Sequence, residues 1–105
     1  MPTDDATDRI FHALADRTRR DIVVRVLDDE LSVSELAGRY TMSFAAVQKH
    51  VAVLQRAGLV TKSTRGRERM VRGDIATVRQ AAALLDRYEA LWRGRVDRMD
   101  DLLGE

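Results

Sequence analysis

The chain has 105 residues, enough for one domain with a modest core, and its charged residues nearly cancel at a net +1. It contains no cysteine, which excludes disulfides, thiolate catalysis and cysteine metal sites. No run of about 18 apolar residues exists to span a membrane, and the acidic, polar opening Met1–Asp8 is expected to be neither a signal nor a transit peptide, so the expected location is cytoplasmic.

The near-zero net charge hides a strong segregation. Residues 1–35 carry −4 and residues 75–105 carry −1, whereas residues 36–74 set eight basic side chains against two acidic ones for +6. Cations gathered in the middle third are a footprint for a polyanion such as nucleic acid, the alternative being an excess on a solvated face.

In chain order, Thr7 or Asp8 caps a first short helix reaching about Ala15, with Ile10, Phe11 and Leu14 as its apolar stripe. Asp16 caps a second helix, Arg17 to about Leu27, with Ile22, Val23, Val26 and Leu27 inward. Asp28-Asp29-Glu30 puts like charges at the negative end of that helix and stops it. Ser32-Val33-Ser34-Glu35 is a capping box, opening a third helix to about Tyr40 that buries Leu36 and Ala37.

A turn over Tyr40–Ser43 leads into the next helix, which Ser43 caps and Gly58 ends in a left-handed conformation. Val47, Val51 and Leu54 form its apolar face; Ala45, Gln48, Lys49, Ala52, Gln55 and Arg56 form the other. No acid occurs from Ser43 to Leu59. Small residues permit close approach to a surface, and amides and cations suit base edges and phosphates, so this reads as a DNA recognition helix. An ordinary amphipathic surface helix is the alternative for the stretch taken alone. Two helices joined by a short turn make a helix-turn-helix.

Beyond Gly58 the period changes. Leu59–Thr64 and Glu68–Arg72 alternate around Arg65-Gly66-Arg67, which predicts a β-hairpin with Arg65 and Arg67 at its tip and Lys62 and Arg69 alongside. A basic hairpin after a recognition helix reads as a wing. Asp74 then caps a last helix from Ile75 to about Leu103, roughly 40 Å long. Ile75, Val78, Ala82, Leu85, Trp92, Val96, Met99 and Leu103 fall on coiled-coil spacing, interrupted by Glu89, and Leu84, Tyr88, Leu91 and Leu102 widen the stripe. A lone monomer would leave much of it wet, so a symmetric homodimer through this helix is expected, with the first helix packing beside it. The residues expected at the dimer contact are Ile10, Leu14, Val78, Leu85, Tyr88, Trp92, Val96 and Met99. The fold class expected is mainly α with a β-hairpin wing. Residues 1–105 read as one winged-helix domain, with the helix-turn-helix at about 32–57, the wing at about 59–73 and the dimerisation helix at about 75–103.

Three segments resemble the ArsR/SmtB family of dimeric winged-helix repressors. Phe11–Ile22 resembles the family's "ALADPTRRxIL" opening, with Arg17 where proline is usual. Glu30–Leu36 looks like its "ELxVxEL" segment, and Ser43–Val51 with Leu54 and Ala57–Val60 is similar to its "SQPAVSKHLxxLxxAGLV" helix. The resemblance spans about residues 9–103. It implies a homodimer that binds a palindromic operator and blocks transcription, with autoregulation as a family expectation, the recognition helix in the major groove of double-stranded DNA and the wings toward the backbone or minor groove. By position Ser43, Ala46, Lys49 and His50 match the family pattern, whereas Phe44, Ala45 and Gln48 depart from it. Gln48 suits adenine; Lys49 suits guanine or a phosphate. Phe44 either touches a thymine methyl or is buried under the turn. His50 is expected to pack or to contact phosphate. The DNA-contacting set expected is therefore Ser43, Phe44, Ala45, Gln48, Lys49, His50, Arg56, Lys62, Arg65, Arg67 and Arg69.

The family's metal-sensing cysteines fall on Ser32 and Ser34, and serine hydroxyls are poor soft-metal ligands. The last helix has no histidine, so no metal site and no cofactor are expected. If there is an effector, the region of Tyr88 and Trp92 is where it is looked for. An enzyme is not expected, since no catalytic constellation or glycine-rich phosphate loop is present. The competing reading is a protein-interaction module using the long apolar helix, with the winged helix as scaffold. That reading leaves the +6 of residues 36–74 without a purpose.

Overall fold

The computed structural model describes residues 4–104; Met1–Thr3 of the acidic opening and Glu105 lie outside them. The chain runs α1 (Asp4–Leu14), α2 (Arg17–Asp28), β1 (Leu31–Ser32), α3 (Val33–Ala37), α4 (Phe44–Arg56), β2 (Val60–Arg65), β3 (Glu68–Gly73) and α5 (Ile75–Leu103). The helices enclose a core of Ile10, Ile22, Val26, Leu36, Val47, Val51 and Leu54, closed on one side by Leu59, Val60 and Val71 of the sheet.

Local chemistry accounts for most boundaries. The Asp16 carboxylate accepts from Arg19 N at 3.0 Å and opens α2. At α3 the capping box is complete: Glu35 N donates to Ser32 Oγ at 3.0 Å and Ser32 N to Glu35 Oε1 at 2.9 Å. The end of α4 is a Schellman motif. Leu59 N donates to Leu54 O and Gly58 N to Gln55 O, both at 3.0 Å, with Gly58 at φ +80°. That turn throws the chain straight into β2.

The sheet is antiparallel in the order β1-β3-β2. Arg65 pairs with Glu68 across the two-residue loop Gly66-Arg67, and Gly66 alone has a positive φ (+61°), as a type II′ turn requires. Asp74 N donates to Leu59 O at 2.9 Å and the Asp74 carboxylate accepts from Ala76 N, so α5 starts pinned to the base of the wing.

Several expectations are corrected. The first helix begins at Asp4 rather than after Thr7 or Asp8, because acids such as Asp5 are themselves favourable at the positive end of a helix. The third helix ends at Ala37, and Tyr40 swings back toward α2. Leu27 is 40% exposed rather than inward; it leans over Gly73. The two-residue strand β1, too short to show a period, turns the hairpin into a three-stranded sheet. The last helix agrees with its expected span, running from Ile75 to Leu103 unbroken through Gly94.

Candidate nucleic-acid interface

α4 offers its outer face to solvent because Val47, Val51 and Leu54 are fully consumed by the core. Ala45, Gln48, Lys49 and Arg56 are exposed on that face. Ser43 Oγ accepts from Ala46 N at 3.1 Å, which leaves its hydroxyl hydrogen free to donate outward at the positive end of the helix. Phe44 is 47% exposed, so it is not buried under the turn; its ring stands at the first position of α4 beside Ala45.

His50 faces inward instead. Arg19 Nη1 lies 3.4 Å from its Nδ1. The same guanidinium donates Nε to Ala13 O at 2.7 Å and Nη2 to His12 O at 3.0 Å, and Arg20 Nη1 donates to Leu14 O at 2.7 Å. Two arginines therefore satisfy the last carbonyls of α1, and one of them fixes α1 against α4. The Thr18-Arg19-Arg20 run just after a helix end is the available signal in the sequence, and capping from six residues away has no local pattern.

The turn before α4 is held by a second cluster. Tyr40 Oη donates to Asp21 Oδ2 at 2.5 Å, Arg25 Nε donates to the same oxygen at 2.9 Å, and the Arg25 guanidinium lies 5.6 Å from the Tyr40 ring centre. The Tyr40 hydrogen bond, followed by Arg25, holds the Asp21 carboxyl below its ordinary range. Burial, then Asp21, pushes the Tyr40 phenol up to about 12.

On the wing, Arg67 and Arg69 are exposed and Lys62 is half-buried. Arg65 departs from the expectation of a free tip cation. Its Nη2 donates to Glu30 Oε1 at 2.7 Å, tying the wing back to the α2–β1 corner. Thirty-five residues separate the two, so the pairing had no trace in the hairpin's own sequence.

Ser32, at the position of a family cysteine, is buried and occupied as the α3 cap. His12 and His50 lie on different helices. Among the described residues no group of three or more His, Asp or Glu side chains is arranged to hold a metal, and no helix is long and apolar enough to cross a membrane.

On α5, Leu85, Tyr88, Leu91, Trp92 and Met99 are exposed, with Val96 partly covered. Val78 and Leu14 pack partly against the core. Ile10, expected at the dimer contact, is only 3% exposed: it belongs to the protomer's own core and has no surface to offer a partner.

Comparison with known proteins agrees with this arrangement. Residues 16–62 match the model of the bacterial regulatory protein arsR family. The HTH-type transcriptional regulator Rv2034 of Mycobacterium tuberculosis is 39% identical over 88 residues, covering 84% of this chain and 82% of that protein. The transcriptional activator HlyU of Vibrio cholerae is 43% identical over 51 residues, about half of either chain (49% and 47%). The solved structure of an ArsR-like transcriptional regulator from Rhodococcus sp. RHA1 superposes with a TM-score of 0.81 at 33% identity, covering 93% of this chain and 92% of that one. A winged helix-turn-helix with a basic, acid-free α4 face, matched over most of its length by the Mycobacterium and Rhodococcus regulators, makes the chain a DNA-binding transcriptional regulator of the ArsR family.

Proposed function

We infer that the protein is a homodimeric repressor that occupies a two-fold-symmetric operator and is indifferent to metal. The observation that carries the DNA-reading part is the solvent-facing row Ala45, Gln48 and Lys49 on α4, within a stretch that has no acidic residue from Ser43 to Arg67. Gln48 offers an amide to adenine and Lys49 a cation to guanine or phosphate, while Phe44 is placed for a thymine methyl. Lys62, Arg67 and Arg69 supply sequence-independent attraction from the wing, and Arg56 adds to it from the end of α4. His50 acts behind this surface by holding α4 against Arg19, rather than at the DNA itself.

The dimer reading rests on α5, whose exposed Leu85, Tyr88, Trp92 and Met99 exceed what one protomer covers. A dimer brings two recognition helices to half-sites about one DNA turn, ~34 Å, apart. Repression is the simplest outcome, because occupying a promoter needs no surface beyond these. The interaction-module reading has no use for the acid-free row.

The test is a mobility shift on the DNA upstream of its own gene, with excess competitor and with zinc or EDTA, followed by transcription from that promoter in vitro. The expected result is a competitor-resistant, metal-indifferent shift and a fall in transcript. A rise in transcript overturns the repressor assignment. No specific shift at this promoter or across a genomic fragment library overturns the DNA-reading assignment.

A further inference from the structure

α1 and the last turn of α4 share a small hollow. Arg9 and His12 of α1 line it from one side and Arg56 of α4 from the other, over a half-buried apolar floor of Val53 and Ala57. Its volume is ≈ 100 Å³, space for several waters or for one tetrahedral anion. Three of the lining side chains are basic, and no carboxylate among the described residues lines it.

The ends of the two helices do not account for this gathering. Cations near a helix C-terminus ordinarily answer its last carbonyls. Here those carbonyls are taken. Arg19 donates to His12 O and Ala13 O, and Arg20 donates to Leu14 O. The N–H groups of Ala57, Leu59 and Gly58 donate to Val53 O, Leu54 O and Gln55 O. Arg9 stands in the middle of α1, where no end carbonyl needs it. The ion pairs among the described residues are Arg19–Asp16, Arg25–Asp21, Arg65–Glu30 and Arg93–Glu89, so Arg9, His12 and Arg56 have no acidic partner there. Like charges around one hollow repel one another, and an anion seated among them relieves that repulsion.

We propose that this hollow is a binding site for a small oxyanion of the class of inorganic phosphate, which bridges α1 to the end of α4. Two guanidinium forks suit a multi-oxygen anion, and an imidazole N–H adds a third donor. The capped carbonyls leave no bare oxygen to repel it, and the floor of Val53 and Ala57 offers no competing side-chain acceptor. Val53 and Arg56 lie four and seven residues after Lys49, so the hollow continues the helix stripe that starts in the DNA-facing row. An anion there neutralises Arg56 and loosens the hold on any DNA. That consequence rests on the DNA-reading role inferred above, whereas the anion site itself does not. A backbone phosphate of DNA offers the same chemistry from another source. Arg9 and His12 belong to α1, outside both the recognition row and the wing, which favours the free anion.

Inorganic phosphate is titrated into the full chain at constant pH and ionic strength, and proton NMR follows the two histidine rings. The chain holds only His12 and His50, so the signals are separable, and His50, set against Arg19, is the internal control. The His12 signals should move along a saturating curve in the millimolar range while those of His50 stay in place. Arg9→Gln and Arg56→Gln, one from each helix, should each weaken the binding by roughly tenfold, the worth of one charge-assisted contact. Circular dichroism confirms that both variants fold. Saturating phosphate should also weaken binding to any DNA by roughly fivefold to tenfold, the value of one phosphate contact, and Arg9→Gln should blunt that effect. A response that grows without a plateau, is matched by chloride at equal ionic strength, or survives both substitutions overturns the site. So does a plateau obtained with a DNA duplex and never with phosphate. A saturating His12 response with unchanged DNA affinity upholds the site and overturns the DNA-facing role of Arg56.

Discussion

Arg65 at the turn of the wing donates to Glu30, at the corner between α2 and β1, across 2.7 Å, so this wing cation is engaged by the protein itself. On the proposed mode of DNA binding, this pair competes with phosphate for Arg65. Glu30→Gln should strengthen binding to any DNA by about two- to fivefold and steepen the log–log salt dependence by up to ~0.9, the value of one added phosphate contact. Arg65 is 71% exposed on its side chain, so stability should change by less than ~1 kcal/mol. Fluorescence anisotropy across a salt series reads both quantities. In an Arg65→Ala background the Glu30 effect should vanish; if it persists, Glu30 acts through general charge.

Arg19 joins three elements with one side chain, through the carbonyls of His12 and Ala13 and the ring of His50. Arg19→Ala should cost about 2–3 kcal/mol in urea unfolding, the range for hydrogen bonds to a charged group left without their donor. Arg19→Lys should restore only part of it, because a single ammonium cannot reproduce the guanidinium fork. Full rescue by lysine would mean that charge, and not geometry, holds α1 to α4.

Gly73 is a packing position. A Cβ there would meet Leu27 Cδ2 at 2.7 Å, Cγ at 2.8 Å and Cα at 3.1 Å. Because one of those atoms is backbone, rotating the leucine cannot relieve the contact. Gly73→Ala should destabilise by roughly 1–3 kcal/mol. Leu27→Ala in the same chain should recover only part of that loss; a fully neutral Gly73→Ala would show that β3 is free to move off α2.

Asp21 and Tyr40 give the stability curve two limbs. Asp21 is lowered by the Tyr40 hydrogen bond and then by Arg25, Asp16 chiefly by the backbone N–H of Arg19, and Glu35 chiefly by that of Ser32. These carboxyls stay ionised to lower pH folded than unfolded. Their stabilisation is therefore present above the ordinary carboxylate value and lost as pH falls through the lowered ones. Tyr40 is raised, from 10.0 to about 12, so its contribution is complete below 10 and lost as pH climbs toward about 12. Tyr40→Phe should remove the alkaline loss specific to this group and shrink the acid-side dependence by releasing Asp21. Urea midpoints measured against pH for both proteins check it, and superimposable profiles would refute the coupling.

What could be read in the sequence was whatever depends on near neighbours. The caps at Asp16, Ser32, Ser43 and Asp74, the left-handed Gly58 and the glycine of the wing turn each satisfy backbone groups within a few residues, so a short window contains cause and effect. The apolar stripe of α4 and the long seam of α5 were legible for the same reason, because helical periodicity is local. Tertiary structure alone decided that Ile10 faces inward, that two residues after Glu30 become a strand, that Tyr40 leaves its helix for Asp21, that Arg19 and Arg20 close α1, and that Glu30 captures Arg65. Each depends on which segments the core brings together. An arginine's long side chain can satisfy any acceptor within its reach, so its partner is set by the packing of the buried residues and not by its place in the chain.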